Sequence, residues 1–317
     1  LLFAFFRPQL LFSTTTTAGG DTGAHHYPAQ YLIQELLPNG RLTGWAPGWY
    51  AGMPMLTFYF PFPFLLIALM DFILPYTVAF KIGTVLGVFA LPLTVYAMGR
   101  LWRIRKPFPV VAACFAAAFL LMERTSGDQL YSIYGGNILS TLAGEFGYML
   151  SLSLVFLFLG TMYRGMEKPR FNMLFVLNCL ILMALALSHV VTTIILVCLA
   201  PGLMLGHLGF SRPGGGKAAL RSFGYLVAVG VVGFCLTAFW SLPFVANLEW
   251  TAHMAWNQLS LLKGGGLSFG LKLALSVVGG VGVISIAGVG WIAVRRKTKV
   301  LSTLGIMAAA VAIILLA

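Results

Sequence analysis

The chain has 317 residues, of which 59% are hydrophobic and 9% charged, and its mean hydropathy is +0.92. A soluble domain of that composition would leave large apolar patches in water, so the sequence reads as a polytopic membrane protein. The net charge of +12 would suggest nucleic acid in a soluble protein. Here most basic residues lie in short clusters between apolar runs, where they set orientation, and no nucleic acid is expected.

About 20 mostly apolar residues make a spanning helix. In chain order the candidates are 1–12, 76–99, 108–122, 147–163, 171–188, 190–208, 222–240, 271–294 and 300–317. The sequence therefore predicts an all-α, polytopic transmembrane helix bundle of about nine crossings with a large first outer loop. It begins and ends inside apolar runs, which reads as a piece of a longer chain. Clusters at Arg100/Arg103/Arg105/Lys106, Arg164/Lys168/Arg170, Arg212/Lys217/Arg221 and Arg295/Arg296/Lys297/Lys299 mark the cytoplasmic loops. Of the 8 acids, only Glu167 falls on that side. Asp21, Glu35, Asp71, Glu123, Asp128, Glu145 and Glu249 face outward, an asymmetry that orientation alone does not require.

Residues 58–73 are apolar enough to cross, yet a crossing there as well as at 76–99 would put the Asp21 loop and the Arg100–Lys106 cluster on one side. Pro61, Pro63 and Asp71 weaken this segment, so it is expected to form a re-entrant or surface-lying helical hairpin beside a cavity. The outer regions are 13–54, 123–146 and 241–270, edged by aromatic residues that also suit an interfacial belt. Cys114, Cys179, Cys198 and Cys235 all lie in apolar runs and read as core packing.

Scarce polar chemistry is concentrated in Gly19-Gly20-Asp21-Thr22-Gly23-Ala24-His25-His26-Tyr27. Asp21 and His25 are four apart, so a helix starting here puts both on one face. They serve as a base and its orienting partner, as two ligands of a divalent metal, or as a helix cap with an interfacial histidine. Glu145 opens an apolar span, where a carboxylate toward lipid would cost roughly 2–3 kcal/mol. It reads as a cavity-facing acid or as a charge favoured by the helix N-terminus. Glu249 and His253 repeat the four-residue spacing beside Trp250 and Trp256, on an amphipathic interfacial helix or an acceptor site.

The stretch from Asn39 through Trp45-Ala46-Pro47-Gly48-Trp49 to Pro54, followed by Phe58-Tyr59-Phe60-Pro61-Phe62-Pro63, resembles the first outer loop of the GT-C superfamily of membrane glycosyltransferases. More narrowly it resembles the integral-membrane family called 6-pyruvoyl-tetrahydropterin synthase-related. Gly136-Asn137, Leu142-Ala143-Gly144-Glu145-Phe146 and Leu187-Ser188-His189 carry the resemblance further. Nothing resembles the soluble zinc-dependent pterin enzyme. The resemblance implies one GT-C-like transmembrane domain over 1–317, with the active site and interfacial helices in the outer loop 13–75.

It also implies transfer of a sugar from a polyprenyl-phosphate carrier to a glycan, lipid or protein acceptor, at the extracytoplasmic face of a prokaryotic plasma membrane. Asp21 corresponds to the superfamily's loop acid and takes the role of general base. His25 orients it or shares with it a divalent cation, Mg or Mn; Glu145 is the second acid. Arg124, Arg41 and Lys81 are candidates to neutralise the leaving phosphate, or are snorkelling side chains. Trp45, Trp49 and His189 complete the substrate-binding set. The alternatives are a polytopic transporter or flippase, which calls for midplane charges in two related halves, and a noncatalytic membrane scaffold. No Walker A loop, nucleophile elbow or Cys/His metal cluster is present.

Overall fold

The computed structural model describes residues 1–122, 135–210 and 215–251. They form two compact units, one drawn from Leu1–Thr161, Asn172–Thr193 and Val229–Leu248, the other including Met162–Phe171 and Ile194–Ala228. The expected spans at 271–294 and 300–317 lie outside the described residues.

The first apolar run is two short helices, α1 (Leu2–Phe5) and α2 (Pro8–Leu11), where the sequence predicts one. Pro8 forces the residue before it out of helical conformation, and Arg7 is extended. Helix α3 (Thr22–Tyr31) continues through a π turn (Leu32–Leu36) into a 3-10 turn (Leu37–Asn39).

A short two-stranded hairpin, β1 (Gly44–Ala46) and β2 (Met53–Met55), follows in a fold that is otherwise mostly helical. The strands are antiparallel, with Gly44 opposite Met55, Trp45 opposite Pro54 and Ala46 opposite Met53. Pro47, Gly48, Gly52 and Pro54 disfavour a helix, while a ribbon made only of edge strands accommodates the proline.

Helix α4 (Pro61–Asp71) has 11 residues, about 16 Å, roughly half the hydrocarbon thickness. It is one short helix, where a hairpin is expected over 58–73, and it packs on α5 (Tyr76–Leu101), the crossing that follows. Helix α6 (Phe108–Leu120) returns along α5, with Pro109 against Gly99. A five-residue turn of helix, α7 (Ile138–Leu142), capped by the Asn137 side chain, leads into α8 (Phe146–Glu167). Then come α9 (Met173–Ala186), α10 (Val190–Phe210) and α11 (Gly215–Ala246).

Among the described residues three helices are long and apolar enough to cross a membrane: Tyr76–Leu101, Phe146–Glu167 and Gly216–Ala246. This supports a helical membrane protein; nine crossings do not follow from it.

Two contacts fix the direction of α8 against α5. A Cβ at Gly87 would lie 2.5 Å from the Leu150 backbone nitrogen, and one at Gly160 would lie 2.9 Å from Met98 Cα. Both contacts occur in the same order along the two helices, so α5 and α8 run parallel. Trp102, almost wholly buried, donates its indole N–H to Leu159 O at 3.1 Å and ties the same two elements near their basic ends. Arg100 and Arg164 stand in the last turns of these helices, and the polar loops of interest lie at their starts.

A core of Leu32, Leu36, Ala46, Met55, Leu56, Phe64, Ile67, Phe80 and Phe146 sits beneath those loops, so the first outer region is packed protein. In the second unit, buried His207 lies 3.3 Å from Ser222 Oγ, which donates to Met166 O at 2.9 Å. That polar cluster is internal to the unit.

Gly87→Ala is expected to destabilise the fold by about 1–3 kcal/mol, because the new methyl meets backbone atoms that cannot turn aside. Gly224→Ala, where nothing lies within 4 Å, is expected to stabilise α11 by about 0.5–1 kcal/mol. Thermal unfolding of both variants in one lipid nanodisc preparation checks the pair; equal effects would contradict the α5–α8 contact.

Candidate functional site

The site is built where the glycine loop before α3 meets the corner between α7 and α8. Asp21 N donates to Ala143 O at 2.7 Å, and Thr22 Oγ1 donates to Leu142 O at 2.6 Å. Gly20 and Gly144 both have positive φ at this junction, +50° and +123°. A Cβ at Gly20 would lie 2.5 Å from Ala143 O, and one at Gly144 would lie 3.0 Å from Asp21 Cβ. Side chains at either position would separate the loops.

Asp21 precedes α3, but its side chain makes no capping hydrogen bond and is exposed. One turn on, His25 is half-buried against the rings of Tyr59, Phe64 and Phe146. The Tyr59 hydroxyl is 3.2 Å from His25 Nε2. Burial, then the negative charges of Asp21 and Glu145, push the Tyr59 hydroxyl well above its ordinary value, so it keeps its proton and donates. Burial holds His25 below the usual imidazole value, against the opposing pull of Asp21 and a hydrogen bond with the Gly144 backbone. Glu145 is pushed above the usual carboxylate range, first by desolvation and then by Asp21. Asp21, His25, Tyr59 and Glu145 thus act on one another although they are spread over 125 residues of chain, from the first loop to the start of α8.

His189, at the corner between α9 and α10, extends the arc. Its Nδ1 accepts the Val191 N–H at 3.3 Å, and its ring lies 4.8 Å from Phe60 and 5.1 Å from Tyr148. Burial lowers its pKa to about 4. Tyr148 and Glu145 both abut Gly135, where a Cβ would lie 3.3 Å from Tyr148 Cε1 and 3.5 Å from Glu145 Oε2.

Other sequence candidates lie elsewhere. Lys81 is buried in α5, and its ammonium is engaged by Leu10 O (2.7 Å), Ser13 O (2.6 Å) and Ser13 Oγ (2.9 Å). Its three protons hold the N-terminal segment, so it is corrected from phosphate ligand to anchor. His26 is likewise committed: Nε2 lies 3.0 Å from Thr17 O, Nδ1 lies 3.0 Å from the Tyr76 hydroxyl, and the ring stacks on Phe80 at 3.8 Å.

Trp45 is on β1, exposed, with its carbonyl accepting from the Tyr31 hydroxyl at 2.8 Å. Trp49, in the hairpin turn, packs on Tyr27 at 5.5 Å. Both therefore cluster along α3 beyond His25. Arg41 is exposed in the turn before the hairpin. Arg124 and His253 fall outside the described residues.

Among the described residues no three His, Cys, Asp or Glu side chains gather at a spacing that holds a metal ion. Asp21 and His25 supply two potential ligands, and His25 Nε2 is paired with the Tyr59 hydroxyl. Tyr59 is the member of the cluster to which sequence reasoning assigned no role. Its only signal was its place in the Phe58-Tyr59-Phe60-Pro61 run.

The chain belongs to the family described as 6-pyruvoyl-tetrahydropterin synthase related domain, a membrane protein family, which matches residues 56–265. That stretch contains Tyr59, Glu145 and His189 and begins after Asp21 and His25. No curated protein and no solved structure matches the chain.

The lowered pKa of His189 has a defined sign. The unfolded chain binds a proton near pH 6.5 that the folded site refuses until about pH 4, so stability is complete above pH 6.5 and falls through that window. The loss is expected to reach at most ~3 kcal/mol. His189→Gln should flatten the slope of unfolding free energy between pH 6.5 and 4; an unchanged slope would show that other groups carry it.

Proposed function

We propose that this member of a membrane-protein family is a GT-C-type glycosyltransferase, which moves a sugar from a polyprenyl-phosphate carrier to an acceptor hydroxyl on a glycan, lipid or protein. The observation that carries the reading is the convergence of exposed Asp21, half-buried His25 and Tyr59, and Glu145 at one place, with the Asp21 carboxylate not spent on capping its own helix.

The chemistry follows from those roles. Asp21 takes the proton of the acceptor hydroxyl as its oxygen bonds to the anomeric carbon, and the carbon–oxygen bond to the carrier phosphate breaks with the electron pair leaving on phosphate. His25, fixed by Tyr59, orients the carboxylate. Glu145 offers its carboxyl group for a hydrogen bond with a sugar hydroxyl. His189 and Tyr148 offer further polar contacts beside the Phe60 ring. Arg41, and Arg124 outside the described residues, are the remaining candidates to stabilise charge on the leaving phosphate. The reaction balances without a metal.

Charge supports an orientation. Arg100 and Arg164 end the helices whose starts adjoin the site, which by the positive-inside rule favours an extracytoplasmic site, in our reading at a prokaryotic plasma membrane. The transporter reading calls for acids near the bilayer midplane; Asp21 and Glu145 stand outside the spanning helices, which favours a surface reaction.

The test is transfer from labelled polyprenyl-phosphate sugars by the full-length protein in native membranes. Asp21→Asn is expected to lower transfer by about 10²–10⁴-fold at matched expression. Tyr59→Phe should lower it about tenfold, the equivalent of one hydrogen bond worth ~1.4 kcal/mol. Unchanged transfer in Asp21→Asn, or none from any carrier by the wild type, would overturn the reading.

A further inference from the structure

Tyr59 reaches His25 from an unusual piece of backbone. Leu56, wholly buried, has φ +58°, a left-handed conformation that is costly for a branched, bulky side chain. It turns the chain sharply out of β2, so that three residues later the Tyr59 hydroxyl meets His25 Nε2 and Phe60 meets the His189 ring. Such a conformation persists only where its surroundings over-determine it.

The surroundings are supplied from α11. The indole N–H of Trp240 donates to Leu56 O at 2.9 Å, a bond between groups 184 residues apart. Trp240 is itself buried and stacks on Phe244 at 5.0 Å and 11°. The same two rings flank the turn: Phe244 lies 6.5 Å from Phe58, and Trp240 lies 5.7 Å from Phe60. Leu56 O therefore has a fixed direction, and the left-handed residue has a partner that would be lost in any other conformation.

We infer that Trp240 is a positioning residue of the candidate site: its indole N–H holds Leu56 in the left-handed conformation that delivers Tyr59 to His25 and Phe60 to His189. It touches neither histidine through that bond and acts through the 56–60 turn. This assignment goes beyond the glycosyltransferase reading and does not depend on it, because the geometry it concerns exists whatever reaction the site performs.

The test separates the N–H from the ring. Trp240→Phe keeps an aromatic ring for the stack and removes the donor. Benzothienylalanine at position 240 keeps the full two-ring shape with sulfur in place of N–H. Both proteins, full length in lipid nanodiscs, are treated with diethylpyrocarbonate, and the modification rates of His25 and His26 are read by peptide mass spectrometry. His26 is the internal control, because Tyr76 and Thr17 hold it independently of the turn.

At least threefold faster modification of His25, with His26 unchanged and in both variants, is the expected result. Unchanged His25, or equal acceleration of both histidines, would overturn the assignment: the first shows that the N–H does not hold the turn, the second that the substitution only loosens the fold. An effect in Trp240→Phe alone, absent from the benzothienyl protein, would also overturn it by assigning the role to packing. Since no step measures sugar transfer, failure of the transfer reading leaves this result standing, and the reverse holds too.

Discussion

Everything at the site depends on one backbone contact, the N–H of Asp21 donating to the carbonyl of Ala143, reinforced by the Thr22 hydroxyl on Leu142 O. It joins segments 122 residues apart in sequence, and it is short enough that each side must present bare backbone. Gly20 and Gly144 meet that requirement through both their positive φ and their missing Cβ. The contact sets a carboxylate from the first loop beside one from the start of α8. Their mutual repulsion adds to burial in pushing Glu145 upward, whereas the α8 N-terminus favours the ionised form by only about 0.3–1 kcal/mol. Desolvation and the neighbouring charge outweigh the helix terminus, so the net shift of Glu145 is upward.

The membrane scaffold explains why that contact can be held. Helices α5 and α8 approach through Gly87 and Gly160, run parallel and begin on the same side. Their starting ends support the first loop through Phe80 and Phe146, both buried in the core beneath the site. Lys81 and His26 then secure the chain before the glycine loop by binding carbonyls of Leu10, Ser13 and Thr17. An ammonium buried in an apolar helix is tolerated because all three of its protons are used. Rigidity at Asp21 therefore comes from both directions along the chain.

Much of this was legible in the sequence, because apolar length and the scarcity of polar residues are strong signals. The runs at 76–99 and 147–163 lie within Tyr76–Leu101 and Phe146–Glu167, and the helix inside 58–73, Pro61–Asp71, is too short to cross, in keeping with the parity of charge. Asp21, His25 and Glu145 stood out because acids and histidines are rare here, and the fold brings them together. What was not legible depends on tertiary partners. The hairpin at Gly44–Met55 is too short to leave a period-two pattern and is held by its cross-strand pairing. Nothing local distinguishes a lysine that binds carbonyls from one that binds phosphate; the fold decides it for Lys81 through Leu10 and Ser13. Tyr59 went unnoticed because its role depends on left-handed Leu56 and on Trp240, 184 residues from Leu56.

The most direct measurement of this account is hydrogen exchange at the Asp21 amide, in the full-length protein reconstituted in nanodiscs, compared with Gly144→Val. A glycine-rich exposed loop exchanges at nearly the free-chain rate, whereas the bond to Ala143 O predicts strong protection at Asp21, which the substitution abolishes because the added side chain displaces Asp21. Free-chain exchange of the Asp21 amide in the wild type would contradict the junction and, with it, the convergence of the two carboxylates.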